Sequence, residues 1–194
     1  GIFVEKNRIF HALEFKANKD SSLAKIKSAI QTATGAAKTL SVEHVIAFGS
    51  AMWGDLNANS NPVKVPIFET VGDPNGNHAI ATQHDVLIWL SGTSHDDVLD
   101  AALAINTALA DVLNLQLDQP GFTYRDSRDL TGFIDGTANP KDDVRQEVAL
   151  IPQDLPGAGG TFMLSQKWVH NLANFNALSE GDQERVIGRT KPDS

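Results

Sequence analysis

The stretch Asp85-Val86-Leu87-Ile88-Trp89-Leu90, followed closely by Ser94-His95-Asp96-Asp97, decides the fold. An unbroken apolar run behind Asp85 puts apolar side chains on both faces and reads as a buried strand. Ser94, with an acid three residues on, is a capping box that satisfies free N–H groups of a first helical turn. The helix it opens carries Val98, Ala102, Ile105, Leu109 and Val112 on one face, the spacing of a stripe packed on a sheet. Leu113 to Leu117 then reads as a further strand.

The same strand–helix–strand order lies upstream. Arg8 to Phe15 places Ile9, Leu13 and Phe15 on one face and Phe10 and Ala12 on the other, which predicts a central strand. Ser22 is a plausible N-cap for a helix carrying Leu23, Ile26, Ile30, Ala33, Ala37 and Leu40, with Gly35 weakening its C-terminal part. His44 to Phe48 is the second strand. The order β-α-β-β-α-β is the ferredoxin-like unit, expected at about residues 7–125 within a domain spanning 1–130. Between its strands, Gly49 to Asn61 reads as irregular and Asp73-Pro74-Asn75-Gly76-Asn77 as a turn.

Past this unit, Thr131 to Asp143 is loop-like, Thr161 to His170 predicts a strand, and Ser179-Glu180-Gly181-Asp182 caps a short helix ending near Gly188. The expected class is therefore α+β: a ferredoxin-like βαββαβ unit followed by the start of a second such unit over 131–194. A lone strand–helix pair cannot bury its own faces, so the chain reads as a fragment.

Composition narrows the chemistry. The 194 residues include no cysteine, which excludes disulfide scaffolds, iron–sulfur clusters, thiolate zinc sites and cysteine nucleophiles. Sixteen basic against 24 acidic residues give 16 − 24 = −8, a balance unsuited to nucleic acid or an anionic membrane. No apolar run reaches the roughly 18 residues of a spanning helix, and no export signal is visible, so a cytoplasmic location is expected.

The six histidines, His11, His44, His78, His84, His95 and His170, include no helical i, i+4 pair, so a zinc-hydrolase site has no support. Gly157-Ala158-Gly159-Gly160 lacks the Lys-Ser/Thr of a phosphate loop, and Ser50, Ser60 and Ser91 lack a nucleophile elbow. Asp96, Asp97 and Asp100 read as a solvated helix start.

The informative segment is Gly132-Phe133-Ile134-Asp135-Gly136-Thr137-Ala138-Asn139-Pro140. Its glycines let the backbone take conformations that a Cβ forbids and approach a flat surface closely. Phe133 and Ile134 make the surroundings apolar, and an aspartate desolvated there would suit proton transfer. The bare Gly-x-x-Asp-Gly spacing is equally that of a hairpin turn. Spacing alone does not indicate a cofactor.

That segment, with Gln166-Lys167-Trp168-Val169-His170-Asn171-Leu172 and Val186-Ile187-Gly188-Arg189-Thr190-Lys191 in the same order, resembles the dye-decolorizing (DyP-type) haem peroxidases, particularly the shorter bacterial members. Weaker similarity covers Val45 to Gly49 and Asp85 to Leu90. The resemblance implies a haem b enzyme of two ferredoxin-like units. The resemblance also implies that such an enzyme would use hydrogen peroxide to oxidise dyes or phenolic donors. Asp135 matches the distal acid–base, and Ile134, Asp135, Gly136 and Thr137 match the cofactor-lining loop. His170 and Arg189 do not match the axial histidine or the distal arginine, which the family carries further on and which are expected beyond Ser194. No metal ligand is therefore expected within the chain, haem is expected in a full-length protein but not in this piece alone, and the piece by itself is expected to be inactive. The resemblance further implies a small-molecule electron donor and a homo-oligomer. The other reading is a non-catalytic ferredoxin-like module for haem binding or assembly. Trp53, Trp89, Trp168 and Tyr124 could relay electrons, but core packing is the expected role, above all for Trp89.

Overall fold

The computed structural model describes residues 1–57, 59, 67–73 and 76–192. Its elements are β1 (Ile9–Ala17), α1 (Leu23–Thr39), β2 (Glu43–Phe48), α2 (Ser50–Leu56), β3 (Val71–Gly72), β4 (His78–Ala79), β5 (Val86–Gly92), α3 (His95–Leu109), β6 (Leu113–Phe122), α4 (Val144–Ala149), α5 (Leu172–Asn176) and α6 (Glu180–Ile187). They fall into two compact units, Gly1–Phe122 with Gln153–Ala158, and Thr123–Pro152 with Gly159–Ser194.

The first unit is built on a four-stranded antiparallel sheet in the order β2-β5-β1-β6. Leaving out the short insertion α2-β3-β4, this is the interleaved βαββαβ arrangement expected from the sequence. β1 is central, with Leu13 opposite Ile88 of β5 and Asp118 of β6. A register shift between Glu14 and Phe15 bends its pairing with β6, the signature of a bulge. Leu13, Phe15, Ile88 and Leu90 are buried with Ile26, Ala33 and Ala37 of α1 and Val98, Ala101, Ile105 and Leu109 of α3.

Local chemistry sets the helix starts. Ser22 accepts from the Lys25 N–H and Ser94 from the Asp97 N–H, each replacing an intrahelical partner that the first turn lacks. Ser94→Ala is expected to cost about 1 kcal/mol, read as a lower midpoint in chemical denaturation with an unchanged slope. Leu23, expected on the buried stripe of α1, is instead 39% exposed at its first turn.

Two expectations need correcting. Gly49 to Asn61 is not wholly irregular, because Ser50–Leu56 forms α2. Burial of Met52, with Leu56 packed on the same core, outweighs the local breaking signals of Gly54 and Asn57. Ala58, Ser60 and Asn61 lie outside the described residues.

Residues 161–170 are not a strand. Among the described residues no strand forms a ladder with them, and all are exposed. An apolar β-rich composition makes a strand only where a neighbouring backbone supplies the ladder.

The expected turn at Asp73 falls partly outside the described residues, at Pro74 and Asn75. Its described flanks join β3 to β4: Asn77 N–H donates to Asp73 Oδ1 (3.0 Å), and Gly76 has φ +86°. Among the described residues no helix is long and apolar enough to cross a membrane.

Candidate active-site loop

All of the site lies in the second unit. Gly132 N–H donates to the Asp129 carbonyl (3.1 Å), closing a turn with Asp at its first position and Gly at its last. Asp129 Oδ1 also accepts from the Thr131 N–H (2.8 Å) and from the Thr131 hydroxyl. The Asp129 N–H donates to the Phe133 carbonyl (3.0 Å), and Arg128 and Ile134 form an isolated antiparallel bridge. The Asp135 N–H donates to the Ser127 carbonyl (2.8 Å), which fixes the backbone of the acid. A second turn follows, from the Asn139 N–H to the Gly136 carbonyl (3.1 Å). Gly136 has φ +80°, and a Cβ there would stand 2.9 Å from Asn139 Nδ2, so the position suits glycine on both counts.

Arg128 holds the loop from inside the unit. Its Nη1 donates to the carbonyls of Gly132 (2.8 Å) and Lys191 (3.2 Å), and its Nε to Asp126. The Arg128 guanidinium holds the Asp126 carboxyl below the usual carboxylate range.

The far side of the frame is α6 and the residues after it. Ser179 caps α6 by accepting from the Asp182 N–H (3.2 Å). Hydrogen bonds from Ser179 and then Arg185 lower the Asp182 carboxyl. Gly188 ends the helix in the left-handed region at φ +86°, its N–H donating to the Glu184 carbonyl (2.7 Å). The chain then reverses, and Lys191 is tied by its N–H to Glu184 Oε1 (2.8 Å) and by Nζ to Gln183 Oε1 (2.6 Å). Gln183, 6% exposed, donates in turn to the carbonyls of Phe175 and Leu178.

Among the described residues, its chain neighbours aside, no heavy atom lies within 4 Å of a Cβ placed on Gly188, so the expected cost of Gly188→Ala is conformational, about 1–2 kcal/mol. Denaturation should report that loss, with Gly188→Asn losing less because Asn tolerates this region.

Between these supports sits the pair that the fold brings together: Arg189 Nη2 lies 3.5 Å from Asp135 Oδ1. The expectation that Asp135 is desolvated is not met. Its side chain is 69% exposed, and the buried place in the segment belongs to Phe133, at 0%. Ile134 is half-buried, while Gly136 and Thr137 are exposed beside Asp135.

His170 is exposed and away from regular structure. Trp168, expected in a core, is 72% exposed, because the segment that carries it has no ladder to pack on. Trp89 is half-buried against Phe10 (ring centroids 5.4 Å apart), and Trp53 against Phe48 (5.5 Å). Arg189 is the site residue that local reasoning on the loop missed. The signal for it was the Val186 to Lys191 block, read there only as resemblance.

The fold and the loop define the class: a ferredoxin-like α+β chain with an acid carried on a glycine-bracketed turn. Residues 4–123 match the family model "Dyp-type peroxidase, N-terminal", and residues 126–194 match "Dyp-type peroxidase, C-terminal". The chain belongs to the Dyp-type peroxidase family.

A dye-decolorizing peroxidase of Mycobacterium tuberculosis is 32% identical over 179 residues, covering 92% of this chain and 53% of the relative. A DypB variant of Rhodococcus jostii RHA1 in complex with heme superposes with a TM-score of 0.89 at 29% identity, over 100% of this chain and 65% of that one. The encapsulated DyP-type peroxidase of Mycobacterium smegmatis gives 0.85 at 28%, over 99% and 64%. The chain thus spans about half the length of the curated relative and just under two thirds of the solved ones.

Proposed function

We propose that this chain serves a haem-dependent peroxidase that uses hydrogen peroxide to oxidise dyes or phenolic donors, with Asp135 as the acid–base. The observation that carries the reading is the loop itself. An exposed carboxylate stands on a backbone fixed at Ser127, between two positive-φ glycines, with a cation at 3.5 Å. The residues of the loop suit one face of a haem without supplying a ligand to its iron. A carboxylate free to exchange a proton and an arginine suited to anionic groups share a unit that also leaves apolar Leu130 and Val186 exposed.

Ile134, Asp135, Gly136 and Thr137 would line the cofactor, with the haem-facing part assigned to residues 131–194 after a ferredoxin-like domain over 1–130. Bound haem b supplies the electrons that O–O cleavage consumes and recovers them from the donor. Asp135 takes a proton from one oxygen of hydrogen peroxide and returns it to the other, so that water leaves. The fixed Asp135 backbone keeps that carboxylate within one side chain's reach of a set position. Gly136 adds no side chain beside it, leaving approach open to the peroxide. A cytoplasmic location, in keeping with the acidic balance and the absence of cysteine, and a homo-oligomeric state, implied by the family resemblance alone, complete the reading.

The test is an absorption spectrum of the haem-loaded full-length protein before and after adding peroxide. A Soret band that changes with peroxide and is restored by a dye donor is expected. Haem binding with no response to peroxide overturns the reading.

A further inference from the structure

We propose that Arg189 is a positioning residue for Asp135: it holds the carboxylate in the orientation that meets peroxide without occupying the oxygens that take the proton. This rests on the reading of Asp135 as the proton-transfer group.

The Asp135 backbone is anchored, but its side chain is largely in solvent, and among the described residues its one side-chain partner is Arg189. A carboxylate on such a tip turns freely about two bonds, whereas proton transfer needs an oxygen about 2.6–3.2 Å from its target. Arg189 is the element that can bias this rotation, because its own place is set by the frame. Gly188 turns the chain in the left-handed region immediately before it, and Lys191 is tied down just after it through Gln183, Glu184 and Arg128.

The contact also has the right strength. At 3.5 Å the guanidinium attracts Asp135 but makes no hydrogen bond to it, so the lone pairs on both oxygens stay available. A bidentate arginine–carboxylate pair would occupy them. Arg189 Nε is buried and has no hydrogen-bond partner among the described residues, so the guanidinium is not committed to another acceptor through that donor. A positive charge at this spot is what the role needs, and lysine supplies one without the planar fork.

The experiment is a double-mutant cycle on the haem-loaded full-length protein, with a second readout on the haem-free chain. Arg189→Gln is expected to slow the reaction with peroxide by about fivefold, the upper range for an exposed pair. Arg189→Lys should stay within about twofold of the parent. In the Asp135→Asn background, Arg189→Gln should cause no further loss, since a residue acting through Asp135 has nothing left to act on. In the haem-free chain, the Asp135 side-chain carboxyl carbon should shift on Arg189→Gln and return toward its parent position in Arg189→Lys.

Losses that multiply in the double variant, or an Arg189→Gln protein at full rate with an unmoved carboxyl resonance, overturn the proposal. Full rate in Asp135→Asn alone overturns the proton-transfer reading instead, and the carboxyl shift then decides by itself whether Arg189 orients Asp135. If Arg189→Gln fails to fold, Arg189→Lys and the resonance of Asp135 carry the same decision.

Discussion

Asp135→Asn is expected to slow the reaction of the haem-loaded protein with peroxide by about 10²–10⁴-fold, the span for removing a positioned acid–base. The substitution keeps the size and shape of the side chain and leaves an oxygen that can accept a hydrogen bond. What it removes is the ability to take up a proton and hand it on. The structural cost is small by contrast. The side chain is 69% exposed, and the ion pair lost with Arg189 is a surface pair at 3.5 Å, worth at most about 1 kcal/mol. The anchoring bond to Ser127 comes from the backbone and survives the change. The expected result is thus a steep loss of rate with a denaturation midpoint near that of the parent. Stopped-flow absorption after peroxide addition gives the rate, and urea denaturation gives the stability. An unaltered rate would remove Asp135 from the mechanism. A slow and markedly destabilised protein would move the effect from chemistry to folding.

The parts of this molecule that were legible from the sequence are those whose causes are local. Ser22 and Ser94 cap helices where a hydroxyl precedes an apolar stripe, Ser179 caps a polar helix with acids in its first turn, and β1 is central because both of its faces are apolar. The order of those elements is enough to give the interleaved sheet. What the sequence hid depends on partners distant along the chain. Ser50–Leu56 is helical because Met52 finds the core, a fact absent from its own Gly and Asn signals. Residues 161–170 carry a strand's composition without its ladder among the described residues.

The site divides in the same way. The glycines and the acid of the loop could be read directly, since the left-handed angles of Gly132 and Gly136 are a local demand. The direction of Asp135 could not. Apolar neighbours suggested desolvation, yet only one side chain of the segment fits inside, and Phe133 takes that place. The approach of Arg189 depends on how α6 ends and turns back, which no spacing within the loop encodes.

Phe133→Ala is expected to have the largest effect on the second unit, about 3–5 kcal/mol. Phe133 is its one fully buried large apolar side chain among the described residues. Its ring meets Phe175 edge-on with centroids 6.4 Å apart, and Lys191 Nζ lies 5.6 Å from its centre. One aromatic ring therefore joins the loop, α5 and the turn after α6. Removing it leaves a cavity that so small a unit has few other apolar groups to refill. The consequence reaches the site because the Phe133 carbonyl accepts from the Asp129 N–H, two residues before the acid, and the Asp135 N–H is bonded to Ser127. Hydrogen exchange at the Asp135 amide is accordingly the local reporter, with the amides of β1 and β5 as reference, since the core around them contains none of these side chains. Faster exchange at Asp135, with β1 and β5 as slow as before, is the expected outcome. Retained protection at Asp135 with a stability loss under about 1 kcal/mol would show that the loop is held by its backbone turns and Arg128, with Phe133 only filling space.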